Sequence, residues 1–109
     1  MKGIGVDIVE VARFARSTDE FARLILTDNE FEVYYKRGRS IHYLATRFAA
    51  KEAAVKALGY GLGYQYIEIM NNQQGQPELQ FLTTGIIKKS VFVSISDEKD
   101  YIVAMVIIE

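Results

Sequence analysis

Arg47-Phe48-Ala49-Ala50-Lys51-Glu52-Ala53-Ala54-Val55-Lys56-Ala57-Leu58-Gly59-Tyr60-Gly61-Leu62-Gly63 is a helix-forming run that ends in a glycine-spaced loop. It divides the chain, because helical periodicity precedes it and the alternation of strands follows Tyr64. Residues four apart share a helix face, so Phe48, Glu52 and Lys56 stack, with Gly59 below them as the helix stop. Glu52 and Lys56 stand in the favoured acid-before-base order of an ordinary surface salt bridge. Arg47 and Lys51 are like charges at the same spacing, which costs the helix something unless an anion lies between them. Gly61 and Gly63 exceed what a stop requires, and a backbone without side chains lets a phosphate or a ring approach closely. The set suits a polyanionic ligand and a cation, although helix before loop is not the order of a P-loop or a Rossmann turn.

Outward from that run, Gly3-Ile4-Gly5-Val6-Asp7-Ile8-Val9-Glu10-Val11-Ala12-Arg13 opens with the alternation of a strand near residues 2–8. Asp7 then lies opposite the apolar row of Ile4, Val6 and Ile8. Two readings of Asp7 stand together: a capping box with Glu10, and a ligand for a hard cation such as Mg²⁺. A helix is expected from about Val11 to Leu24, with Val11, Phe14, Phe21 and Ile25 as its apolar row. Arg13, Arg16 and Arg23 form a basic stripe beside that row, interrupted by Glu20, which suits either an acidic partner or water. Thr27 and Glu30 make a capping box for a helix to about Tyr35, closed by Arg37-Gly38, and Ser40 caps the long helix.

Strands are expected over Tyr64 to Asn71, Glu78 to Leu82, Ser90 to Ser96 and Tyr101 to Ile108. Helices first and strands later predict an α+β fold with an antiparallel β-sheet packed with helices. The last two strands are apolar on both faces, so helices cover one and a second subunit or an unforeseen sheet arrangement covers the other.

The chain has 109 residues, 50% hydrophobic and 25% charged, which sizes it as one domain, 1–109, with a small core. Zero cysteines exclude disulfides and thiolate metal sites and are compatible with a reducing cytoplasm. No apolar run reaches the roughly 20 residues of a membrane span, and Asp7 and Glu10 interrupt any signal-peptide pattern. A formal charge of −1 gives no general attraction to nucleic acid.

Both motifs together resemble the holo-acyl-carrier-protein synthase family, the small bacterial 4′-phosphopantetheinyl transferases. Leu26-Thr27, Ile67-Glu68-Ile69 leading into Gly75-Gln76-Pro77, and Val93-Ser94-Ile95-Ser96 also fall where that family would put them, so the resemblance covers nearly the whole chain. It implies a homotrimer with active sites at the subunit boundaries, in a chain expected to stay in the cytoplasm for want of a membrane span or signal pattern. The implied reaction moves 4′-phosphopantetheine from coenzyme A to a serine of an apo acyl carrier protein, in fatty acid biosynthesis, releasing adenosine 3′,5′-bisphosphate. Asp7 and Glu52 match the family's Mg²⁺-binding carboxylates, and Lys56 the lysine near the phosphates. Glu52 or a metal-bound water is the candidate base. Arg47, Gly59, Gly61 and Gly63 are expected near the cofactor. Gly75 and Pro77 match a loop near the adenine, though a plain β-turn accounts for them equally. Arg13 matches the family's carrier-binding arginine, and Arg16 joins it as a candidate for the same partner.

One departure stands out. The family has a histidine immediately after the Ser-Ile-Ser strand, where this chain has Asp97. An ionised aspartate only accepts hydrogen bonds and repels a phosphate, unless it merely opens the Asp97-Glu98-Lys99-Asp100 turn. His42, the only histidine, matches no family site and reads as structural or surface. A degenerate homologue that binds coenzyme A or carrier protein without catalysis is the alternative reading, and a purely structural trimer a weaker one.

Overall fold

A computed structural model describes residues 2–86 and 90–109. The first strand, β1 (Gly3–Glu10), runs directly into a 3₁₀ turn at Val11–Phe14. Helices α1 (Asp19–Ile25), α2 (Asp28–Lys36) and α3 (Ile41–Leu58) follow. A short 3₁₀ turn at Tyr64–Tyr66 leads into β2 (Ile67–Asn71) and β3 (Pro77–Phe81), and then come β4 (Val91–Asp97) and β5 (Tyr101–Ile108). The expected α+β class with antiparallel pairing holds. The strands form two sheets, however: a three-stranded one in the order β1-β5-β4 and a β2-β3 hairpin.

Several local expectations fail for identifiable reasons. Asp7 and Glu10 form no capping box, because the strand continues through both residues, pairing Asp7 with Ala104 and Glu10 with Tyr101. The helix from Val11 to Leu24 is broken at Ser17-Thr18. Thr18 accepts a hydrogen bond from the Phe21 amide and starts α1 afresh, with Asp19 and Glu20 in its first turn. Of the expected apolar row, Val11, Phe14 and Ile25 are buried while Phe21 is exposed. Tyr64 to Tyr66 belongs to a 3₁₀ turn rather than to β2. The Thr27–Glu30 capping box and the Ser40 cap both form as expected, and α3 ends at Gly59 with φ 81°. That left-handed conformation favours glycine.

Helix α3 lies across the inner face of the larger sheet and carries the core. Its Ala49, Ala50, Ala53, Ala54 and Ala57 are buried, as are Ile102, Ala104, Val106 and Ile108 of β5. Small residues on both sides let the two backbones approach. A Cβ on Gly3 would sit 1.9 Å from the Ala57 carbonyl oxygen, and one on Gly5 2.0 Å from that of Ala53. The two glycines thus seat β1 against the helix, which brings the Asp7 face of the strand to α3. The apolar row turns the other way: Ile4, Val6 and Ile8 are 66%, 51% and 64% exposed. In register with them stand Ile107, Met105 and Val103, and Phe92 continues the first of these rows on β4.

A buried ionic cluster joins the helices to the hairpin. Lys51 Nζ donates to Glu30 Oε1 (2.6 Å), the Ile25 carbonyl (2.7 Å) and the Tyr64 carbonyl (3.1 Å), and both charged side chains are fully buried. Glu30 accepts from the Thr27 and Ile69 amides, while Glu68, also buried, accepts from the Thr27 hydroxyl (2.6 Å). Desolvation pulls the Lys51 ammonium below the usual lysine range, against the attraction of Glu30. Lys51 therefore needs no external anion, contrary to the expectation from its like-charge spacing with Arg47.

Candidate functional site

The residues singled out by the sequence fall into two groups on opposite sides of α3. Arg47 and Lys56 are nine residues apart, about 13.5 Å along the axis and half a turn around it. Asp7 and Asp97 likewise stand on β1 and β4, the two edges of the sheet, about 10 Å apart with β5 between them.

The first group holds Asp7, Glu52 and Lys56 with the glycine loop. The Lys56 ammonium donates to the Val6 carbonyl (3.0 Å) and to Asp7 Oδ1 (3.2 Å). It therefore turns to β1 and forms no i, i+4 bridge with Glu52. Glu52 instead accepts a short hydrogen bond from the Tyr64 hydroxyl. Tyr64 is fixed at both ends, since its carbonyl takes Lys51 and its ring packs on Phe48 with centroids 5.9 Å apart. Burial, then the bond to Glu52 and the charges of Glu52 and Asp7, push the Tyr64 hydroxyl up to about 12. The phenol stays protonated at neutral pH and donates. Gly59 and Gly61 have open space where a side chain would be, whereas a Cβ on Gly63 would meet the Gln65 side chain at 2.8 Å.

Among the described residues, no three His, Cys, Asp or Glu side chains converge into a metal cage. Two carboxylates fit Mg²⁺ nonetheless, because that ion takes one or two protein oxygens and completes its shell with water and substrate phosphates. Lys56, half-exposed and already on Asp7, is placed to contact anionic oxygens arriving at the same spot.

The second group lines a cavity of about 250 Å³ walled by Arg37, His42, Tyr43, Arg47, Gly75, Pro77 and Asp97. Small-molecule sites usually occupy roughly 300–1,000 Å³, so this volume suits one moiety of a larger ligand. Arg47 is buried, with Nε on the Ile69 carbonyl (3.1 Å), one terminal nitrogen on Thr46 Oγ1 (3.2 Å) and the other on Asn71 Oδ1 (3.0 Å). Desolvation lowers its pKa, most strongly of all its influences. Gly75 turns the β2–β3 hairpin at φ 82°, and Pro77 opens β3. Asp97, half-exposed at the cavity wall, bonds His42 Nε2. His42 is thus part of this site and not an isolated surface residue.

Arg13 and Arg16 are exposed, Arg13 on the 3₁₀ turn with its guanidinium 5.1 Å from the Phe48 centroid. Arg23 lies over the Phe31 ring at 3.7 Å on a different element, so the expected single stripe does not exist. Sequence reasoning missed Tyr64, which sits in what reads as a strand. It also left His42 unassigned, although its place two residues after the Ser40 cap fixes it at the mouth of the cavity.

Comparison with known proteins gives one answer. The family model described as the 4′-phosphopantetheinyl transferase superfamily matches residues 3–106. A holo-[acyl-carrier-protein] synthase of Shewanella sp. (strain ANA-3) is 44% identical over 124 aligned positions, covering 98% of this chain and 95% of that one. The holo-(acyl-carrier-protein) synthase of Bacillus anthracis str. Ames, solved in complex with CoA (3′,5′-ADP), superposes with a TM-score of 0.86 at 38% identity, covering 98% of this chain and 95% of that one. The Helicobacter pylori synthase in complex with coenzyme A gives 0.84 at 26% identity, with 97% and 99% covered.

Proposed function

Because the chain belongs to the 4′-phosphopantetheinyl transferase superfamily, we infer that it is a single-domain enzyme that transfers 4′-phosphopantetheine from coenzyme A to a serine of an apo acyl carrier protein. The serine oxygen forms the new bond to phosphorus. The bond to the nucleotide phosphate breaks, and adenosine 3′,5′-bisphosphate leaves with the electron pair. The bond from Lys56 to Asp7, with Glu52 one turn before Lys56 on α3 and Tyr64 feeling the charges of both acids, carries this reading, since it offers two hard oxygen ligands and one cation to a diphosphate. The non-catalytic alternative loses its footing, because Asp97, the residue that suggested it, is already paired with His42.

Asp7 and Glu52 would hold Mg²⁺, which supplies charge neutralisation at a reacting phosphoryl group. Lys56 stabilises charge developing toward the leaving nucleotide. Tyr64 holds one Glu52 oxygen, aiming the carboxylate and leaving the other free for its ligand or for the serine proton. The open backbone at Gly59 and Gly61 admits the pantetheine arm. Arg47, Gly75 and Pro77 take the nucleotide end in their small cavity.

Since α3 separates these halves within one chain, a complete site requires the catalytic half of one copy to face the nucleotide cavity of another. A homotrimer is the assembly we propose, with the exposed apolar face of β1, β5 and β4 as the surface that joins copies. Arg13 and Arg16 present positive charge beside the catalytic half, where the acidic carrier docks. No helix among the described residues is long and apolar enough to cross a membrane, and we place the enzyme in the cytoplasm. Incubation with coenzyme A, Mg²⁺ and an apo carrier protein should raise the carrier's mass by one phosphopantetheine group. An unmodified carrier beside a folded enzyme would refute the assignment.

A further inference from the structure

The nucleotide cavity contains one acid, Asp97, among three basic side chains, Arg37, His42 and Arg47. It lies at the N-terminus of the 18-residue helix α3, where unpaired amides and the helix dipole favour an anion. An independent observation points the same way. Tyr43, only 3% exposed, has a hydroxyl without a hydrogen-bond partner among the described residues, and it lines the cavity. The guanidinium carbons of Arg37 and Arg47 lie 5.1 and 4.5 Å from the centroid of its ring, so two cations stand against the same cavity-lining side chain. A cavity wall that carries two guanidinium groups and the start of a long helix suits an anionic group.

His42 is the cavity's partly exposed basic side chain. Its Nε2 is engaged by Asp97, which leaves Nδ1 as the nitrogen that can turn to a ligand. With Nε2 on Asp97, the opposite edge of the ring can meet a second acceptor such as a phosphate. Unlike Arg47, whose guanidinium is committed on three sides, the imidazole is only partly buried and is free at one edge.

We propose that His42, positioned by Asp97, is a phosphate-binding residue of this cavity, donating through Nδ1 to a phosphate of the nucleotide end of coenzyme A. The imidazole comes from the second residue of α3, and the residue that closes β4, where a histidine was expected, acts as its acceptor. Asp97 then acts through the ring it holds rather than on the phosphate directly. This assignment rests on the proposed coenzyme A-dependent function, and its test separates the two.

Calorimetric titration of coenzyme A and of dephospho-coenzyme A into the wild type, His42→Ala, Asp97→Ala and Asp97→Asn is the experiment. His42→Ala should weaken coenzyme A by about tenfold or more, as for loss of a charge-assisted hydrogen bond. If the contact is to the phosphomonoester, dephospho-coenzyme A should bind that variant as it binds the wild type; if it is to the diphosphate, both ligands should weaken together. Asp97→Asn keeps an acceptor for the ring and should retain binding, while Asp97→Ala should fall toward His42→Ala. A folded His42→Ala variant that binds both ligands within twofold of the wild type overturns the role of His42, and an Asp97→Ala variant as tight as wild type overturns that of Asp97. A wild type that binds neither ligand would instead overturn the coenzyme A assignment itself.

Discussion

At the scale of single residues, the catalytic half depends on what holds Glu52 in place. The Tyr64 hydroxyl is the only side-chain partner of that carboxylate among the described residues. Partners of this kind typically contribute 10–100-fold to metal affinity. Tyr64→Phe keeps the ring on Phe48 and the carbonyl on Lys51, so the Mg²⁺ concentration for half-maximal transfer should rise by roughly that factor with thermal stability little changed. An unaltered Mg²⁺ requirement would remove Tyr64 from the account. Asp7→Ala and Glu52→Ala should each abolish Mg²⁺-dependent transfer while circular dichroism stays native, because each deletes a hard ligand from a partly buried position outside the apolar core. Near-normal transfer by both at limiting Mg²⁺ would show that the carboxylates do not hold the metal.

At the scale of elements, the seating of β1 on α3 puts Asp7 beside Lys56, and two glycines make that seating possible. Gly5→Ala drives a methyl onto the Ala53 carbonyl and should cost about 3 kcal/mol, the upper range for overpacking. Gly61→Ala meets open space and should change stability by no more than about 0.5 kcal/mol. Urea denaturation of the two variants checks the contrast, and equal losses would mean that contact with α3 does not select glycine at position 5. Lys51→Ala should cost about 3–5 kcal/mol, since it strands the buried Glu30 carboxylate. Elements whose ends are written locally were legible in the sequence: α2 from its capping box, α3 from Ser40 to Gly59, β5 from its apolar run after the Asp97–Asp100 turn. The break at Ser17-Thr18 was obscured by apolar periodicity that ran on across it. The capping box at Asp7 failed because strand pairing with β5, a contact across nearly the whole chain, outweighed a local option. Helix period put Glu52 and Lys56 on one face and strand period gave Asp7 its own, while only the family resemblance joined the three as a set. Tyr64 and the His42–Asp97 pair arise from contacts between distant segments and leave no local signature.

At the scale of the whole molecule, a sheet face bearing Ile4, Val6, Ile8, Phe92, Met105 and Ile107 in contiguous rows is too apolar to stand in water unpartnered. Sedimentation at micromolar concentration should find a closed trimer, and Val6→Lys, placed at the centre of that face, should shift it toward monomer. A monomeric wild type would refute the assembly. The same geometry requires that transfer occur where two copies meet, which is the central claim. Two variants separate the halves: Glu52→Ala disables the catalytic half, and Arg37→Glu, an exposed change at the cavity wall, sets a negative charge against the nucleotide phosphates. Each alone should be inactive. Coexpressed, they form mixed oligomers in which some interfaces join an intact catalytic half to an intact cavity. Mass analysis of an apo carrier incubated with coenzyme A and Mg²⁺ should then show restored modification. A mixed preparation that modifies no more carrier than its separate parents would contradict a site shared between copies.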